Sequence, residues 1–146
     1  MPNLIKKEFS IAFWIYHRDN SDRSIIFGNY EYNGNYTFNI EKTVDNQLRI
    51  YMQAQPDVSF STCTIDTNTW THITIVKNTT ELCVYKNGVK VTTRSHISSD
   101  LWQYADGIKY LLGRDACTNN TALNGMLSDF RIYDHILSQK EINSLA

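Results

Sequence analysis

The chain has 146 residues, 14 of them Lys or Arg and 15 Asp or Glu, for a net charge of −1 and a pI near 6.4. The longest basic run is Lys6-Lys7, which leaves no electrostatic footprint for nucleic acid. No segment nears the roughly 20 apolar residues of a membrane-spanning helix, so no membrane insertion is expected. Residues 1–146 read as a single domain, long enough to bury roughly 68–70% of the surface its unfolded chain exposes, without help from disulfides or metal.

In chain order the signals are those of strands. "EFSIAFWIY" sets Phe9, Ile11, Phe13 and Ile15 on one face and Ser10, Ala12, Trp14 and Tyr16 on the other. Both faces are largely apolar, so this strand is expected to be central and covered on both sides. "NYTFNIE" alternates Tyr36, Phe38 and Ile40 against Thr37, Asn39 and Glu41, and "NQLRIYM" places Leu48, Ile50 and Met52 inward with Arg49 and Tyr51 outward. Glu41, at a strand end, reads as a solvated edge charge. "VSFSTCTI" and "WTHITIVK" follow, the second with Ile73 and Ile75 inward.

"ELCVYKNGVKVTTR" holds Asn87-Gly88 between two alternating runs, a pair that tolerates the positive φ angles of a two-residue type I′ hairpin. "GIKYLLG" and "GMLSDFRIYD" bring the count to about ten strands with short connections. Helical periodicity begins only at the C-terminal end. Ser138 and Glu141 have capping-box spacing, and Leu137 and Ile142 sit where a hydrophobic staple would. A helix of about two turns is too short to persist alone in water, so it must dock. The fold class expected is all-β: an antiparallel two-sheet sandwich of jelly-roll type with a short C-terminal helix.

Four stretches resemble a known superfamily, the concanavalin A-like lectins and glucanases in their laminin-G-like form. "FSIAFWIY" is similar to an early strand around a Trp. "WTHITIVKNTTELCVYKNGVKV" resembles the central Trp-His strand and its hairpin, "LLGRD" the strand after it, and "LNGMLSDFRIYDHILSQKEINSL" the closing strand and helix. The resemblance implies that the helix packs across the sandwich edge, and that Trp14 and Trp70 occupy core positions. The closing segment is most similar in style to modules of phage tail and bacterial surface proteins. Fold alone does not settle function, because the superfamily holds lectins, adhesion and toxin domains, and glycosidases.

Catalysis is not expected. The superfamily's hydrolases resemble an E-x-D-x-x-E strand with its acids about 5 Å apart, and Glu8, Glu31, Glu41, Glu81 and Glu141 never form it. His17, His72, His96 and His135 have no Ser or Cys partner in a nucleophile motif, and His72 reads as structural. Cys63, Cys83 and Cys117 show no C-x-x-C spacing and read as free thiols packed as small apolar residues.

Alternating connections gather at two ends of the sandwich. One collects Asp19, Asp22, Asp45, Asp66 and Asp115, oxygen ligands of the kind Ca²⁺ takes and equally ordinary turn formers. No cofactor is assigned and no ligand is named there. The other end collects "YEYNG", "QAQPD", "NTT" and the long loop from Arg94 to Gly107. Tyr30, Tyr32, Trp102 and Tyr104 supply flat rings beside amides and carboxylates. Such a surface suits a sugar, which stacks its C–H face and hydrogen-bonds its hydroxyls. A reserve surface is the outward strand face with Asn39, Arg49, Tyr51 and His72.

The expectation is a non-catalytic carbohydrate-recognition module whose partner is a glycan or cell-surface polysaccharide, with a protein partner in a larger assembly as a further expectation. A structural or adhesion domain without a sugar site is the alternative, and a glycosidase-related domain the third reading. "MPNLIKKEFSIAFWIY" lacks a secretory pattern. An extracellular or virion-surface location is therefore expected only as part of a longer polypeptide.

Overall fold

The structure is a computed structural model that describes residues 8–18, 23–29, 38–52, 58–95, 110–114 and 122–146. Among the described residues, ten strands and one helix follow in order: β1 (Phe9–His17), β2 (Ser24–Gly28), β3 (Phe38–Lys42), β4 (Gln47–Met52), β5 (Val58–Thr64), β6 (Trp70–Lys77), β7 (Glu81–Lys86), β8 (Val89–Ser95), β9 (Leu111–Leu112), β10 (Gly125–Tyr133) and α1 (Gln139–Leu145). They form two antiparallel five-stranded sheets. The order β10-β1-β6-β7-β8 makes the helix-side sheet, and β5-β4-β3-β2-β9 the far sheet. This is the expected jelly-roll sandwich.

The period-2 alternation of side chains sets what lies between the sheets. Phe9, Ile11, Phe13 and Ile15 of β1 meet Phe38 and Ile40 of β3 and Leu48 and Ile50 of β4, all buried in one cluster. Burying each such side chain contributes about 1.5–3 kcal/mol. The sheets are joined by aromatic contacts: Phe9 meets Phe38 edge-on at 6.0 Å, and Phe130 of β10 stacks on Phe13 at 5.6 Å and touches Phe27 of β2 at 5.0 Å.

β2 is the element that the sequence pattern hides. Its five residues, SIIFG, are all buried and show no alternation. Such a short apolar run cannot be assigned by period alone. Its register against β3 shifts between Ile25 and Phe27, so Ile26 and Phe27 both reach the core.

The hairpin between β7 and β8 turns on Asn87 (φ 51°) and Gly88 (φ 79°), both left-handed as a type I′ turn requires. At Gly125 on β10, an added Cβ would run into the Tyr16 carbonyl of β1, so only glycine lets the two strands close here.

α1 does not cross the sandwich edge. Leu137 and Ile142 pack with Val76 of β6 and Cys83 of β7, flanked by Tyr85, Tyr133 and Leu145, on the outer face of the helix-side sheet. The physical reason lies in β1. Ser10 points outward, is fully buried, donates to the His135 carbonyl at 2.9 Å and accepts from the Leu137 N–H at 3.0 Å. That hydroxyl draws the chain after β10 back over the sheet. The capping box is present: the Ser138 hydroxyl accepts from the Glu141 N–H, and the Ser138 N–H donates to Glu141 Oε2 at 2.7 Å. No helix among the described residues is long and apolar enough to cross a membrane. Cys63 and Cys83 are buried free thiols, and burial pushes the Cys63 thiol up to about 11. Cys117 lies outside the described residues.

Two predictions follow from α1. Ser10→Ala takes the hydroxyl from the buried Leu137 N–H and the part-buried His135 carbonyl and is expected to cost about 1–3 kcal/mol in urea unfolding. That should exceed the loss from Ser138→Ala, about 0.5–2 kcal/mol at an exposed cap. Hydrogen bonds from Ser138 hold the Glu141 carboxyl below its usual range. Its contribution is therefore present above the unfolded carboxyl's pKa and is lost as pH falls through the lower, folded one. The protection factor of the Ile142 amide, its exchange corrected for the intrinsic rate, should fall as pH drops through that acid window in the parent, and Glu141→Gln should remove that fall.

Candidate functional site

The far sheet turns a polar face outward. With Phe38 and Ile40 in the core, Asn39 and Glu41 of β3 must point away from it, as must Arg49 and Tyr51 of β4. Asn39 pairs with Tyr51 and Glu41 with Arg49. The turn joining β3 to β4 holds that register: Asn46 is left-handed at φ 60°, its N–H donates to the Thr43 carbonyl, and the Thr43 hydroxyl accepts from the Gln47 N–H.

Glu41 is the centre of this face. It is 1% exposed, so its charge demands partners. Arg49 donates from Nε and Nη2 to Glu41 Oε1 at 3.1 and 2.9 Å. Arg23 brings its Nε to 2.6 Å from Oε2, an ion-pair contact without the alignment of a hydrogen bond. The Arg49 and Arg23 side chains stay partly in water, 23% and 40% exposed.

Asn39, also buried, lies over Gly28 of β2, where any Cβ would strike its Oδ1. That oxygen has no hydrogen-bond partner among the described residues. Half-buried Tyr51 sits beside it across the register. Asn29, just beyond β2, accepts from the Phe38 N–H at 2.6 Å and donates its own N–H to the Phe38 carbonyl at 3.1 Å.

Tyr30, Tyr32, Trp102 and Tyr104 lie outside the described residues. Their attachment points do not. Segment 30–37 leaves at Asn29 and returns at Phe38, segment 53–57 leaves at Met52, and segment 96–109 returns at Tyr110 and Leu111. Gly28 pairs with Leu111, and Phe38 with Met52, so all of these points share one end of the far sheet, the end of Asn39 and Tyr51. Tyr110 stacks on Phe27 at 5.2 Å, and burial pushes its phenol above the usual range.

Three expectations need correction. Glu41 is not a solvated edge charge, because Arg23 and Arg49 enclose it. The signal was available: eight residues separate Glu41 from Arg49 around a four-residue turn, which makes them cross-strand neighbours. The reserve surface divides in two, since Asn39, Arg49 and Tyr51 face out from the far sheet and His72 from the other. Trp14 and Trp70 are not core residues: Ile73 and Phe13 take the inward places, and Trp70 is 41% exposed.

Asp45 and Asp66 lie toward the opposite end of the sandwich. Asp66 is engaged by Lys86 at 3.0 Å, and no three carboxylate, imidazole or thiol groups converge among the described residues. Asp19, Asp22 and Asp115 lie outside those residues.

A family profile described as the concanavalin A-like lectin/glucanases superfamily matches residues 2–143. The chain belongs to that superfamily, in its laminin-G-like branch. Among solved structures, domain 4 of AbnA, a GH43 extracellular arabinanase from Geobacillus stearothermophilus in complex with arabinotriose, superposes with a TM-score of 0.78 at 20% identity, covering 98% of this chain and 68% of that one. The binding domain of botulinum neurotoxin serotype D gives 0.71 at 20% identity, over 99% of this chain and 38% of that one. A Trypanosoma rangeli sialidase in complex with a difluorinated nononic acid gives 0.70 at 15% identity, over 94% and 22%. This chain thus spans well under half of the toxin domain and sialidase chains. At these identities the likeness is one of fold. No curated protein sequence matches.

Glu41→Gln should cost about 1–3 kcal/mol, the worth of hydrogen bonds to a charged group that water still partly screens. Gly28→Ala should cost a similar amount by displacing Asn39. Urea unfolding of both variants checks this, and unchanged midpoints would mean that the face is not rigidly built.

Proposed function

We propose that this domain is a non-catalytic glycan-recognition module that binds on the far sheet's outer face. The observation that carries the reading is the Arg23–Glu41–Arg49 triad. A buried carboxylate holds two partly exposed guanidiniums in fixed positions beside Tyr51. Planar guanidinium forks suit carboxylate and hydroxyl groups, which favours a sugar that carries a carboxylate. Tyr30, Tyr32, Trp102 and Tyr104, from segments anchored at the same end, are proposed as the stacking faces.

The likeness of the fold to a domain crystallised with arabinotriose supports the ligand class. Both Glu41 oxygens are taken up by arginine, an arrangement that suits a positioning role and not a general acid. An extracellular or virion-surface setting, within a larger polypeptide, fits a module whose structural neighbours are parts of larger proteins.

A glycan array followed by calorimetry tests the proposal. Uronate- or sialate-bearing glycans should give the strongest signals, with modest affinity because hydroxyl desolvation offsets much of the gain. Trp102→Ala should abolish binding of these acidic glycans while changing stability by under about 1 kcal/mol, as for a surface substitution. An array without hits at any density would favour a structural or adhesion domain instead.

A further inference from the structure

The outer face of the helix-side sheet is only half covered by α1. Its outward side chains form rows across β10, β1 and β6. Tyr133, Ser10 and Val76 make the row beneath the helix, and Arg131, Ala12 and Thr74 the next. Beyond them come Ser128, Trp14 and His72, then Met126, Tyr16 and Trp70. The last two rows are aromatic. Trp14 packs on His72 with ring centroids 5.1 Å apart, and Tyr16 on Trp70 at 5.6 Å. Trp70 and Met126 are exposed at 41% and 40%.

A bulge in β10 adds polar groups to this platform. The register of β1 with β10 slips between Ala12 and Trp14, and Asp129 sits there at φ +51°. Leu127 and Phe130 pack inward, which leaves Ser128 and Asp129 adjacent on the outer side. Arg131 donates to Asp129 Oδ1 at 2.7 Å, with both side chains nearly half exposed. On the floor of the same face, His72 Nδ1 and Thr74 Oγ1 are buried and have no hydrogen-bond partner among the described residues. Hydrophobic docking of a helix or sheet does not call for such polar groups.

We propose that this platform is a second saccharide site, which takes one or two rings of a neutral glycan stacked on Trp70 and Tyr16 with hydroxyls directed at Ser128, Asp129 and Arg131. Size and charge decide the occupant. An aromatic side chain buries about 150–250 Å² in all, so three partly covered residues offer a few hundred Å². A stable protein interface needs roughly 800 Å² per partner. Asp129 and Arg131 pair and cancel in charge, so this face selects uncharged sugars. Two sites on opposite faces let one domain bridge two chains, or two parts of one polymer, with the gain of multivalency.

The test is titration of the intact chain with cellohexaose, xylohexaose, laminarihexaose and arabinotriose, read by tryptophan fluorescence and saturation-transfer NMR. At least one should bind, and the bound sugar should protect Trp70 from acrylamide. Trp70→Ala should weaken binding at least about tenfold. Asp129→Asn, which tolerates the same positive φ, should weaken it about threefold or more and guards against a misfolded Trp70 variant. Saturating trigalacturonate should not displace the neutral sugar. The assignment is overturned if no oligosaccharide binds at roughly 10 mM, a concentration beyond a useful site. It is overturned equally if both variants bind like the parent, or if trigalacturonate competes. Failure of the acidic-glycan reading alone would leave these readouts unchanged.

Discussion

The inward packing of Phe27 holds the two sheets in one arrangement. Its ring touches Phe38 within the far sheet, Phe130 across the core and Tyr110 beside it. It reaches Phe130 because the bulge in β2 turns Ile26 and Phe27 to the same side. Side chains alternate strictly along a strand, so committing one set to the core commits the other to the outside. The character of both outer faces therefore depends on this packing.

Those faces have opposite chemistry. On the far sheet, outward Glu41 is too well shielded to stand alone, and two arginines answer it. Burial of the carboxylate thus sets where the two guanidiniums lie. On the helix-side sheet, Ser10 fastens the chain over one half of the surface, and α1 covers Val76 and Cys83. The other half retains its aromatic rings. A short helix that ends over half a sheet leaves Trp70 and Met126 exposed beyond it.

Bulges tune both surfaces. In β10, the extra residue at Asp129 places two polar side chains side by side next to Trp14. In β2, the slip between Ile25 and Phe27 fills the core. One kind of irregularity exposes polar groups and the other buries apolar ones. Which occurs depends on the residues at the slip: Ser-Asp in β10, Ile-Phe in β2.

The sequence by itself determined the elements whose signals are local. Period-2 alternation marks β1, β3, β4 and β6, Asn87-Gly88 sets a two-residue hairpin through its positive φ angles, and Ser138 with Glu141 sets the start of α1. These rest on backbone geometry and neighbours a few residues apart. The tertiary structure alone decided which apolar face is inside, because β1 reads as apolar on both. It also placed Trp70 outside, settled α1 on a sheet face, and assigned Tyr51 and His72 to different sheets. Glu41 lies between these cases. Its partner Arg49 follows from the hairpin register, but Arg23 reaches it only from β2's side of the sheet. Its burial depends on how the strands assemble, and alternation in one strand carries no record of what will cover its outer face.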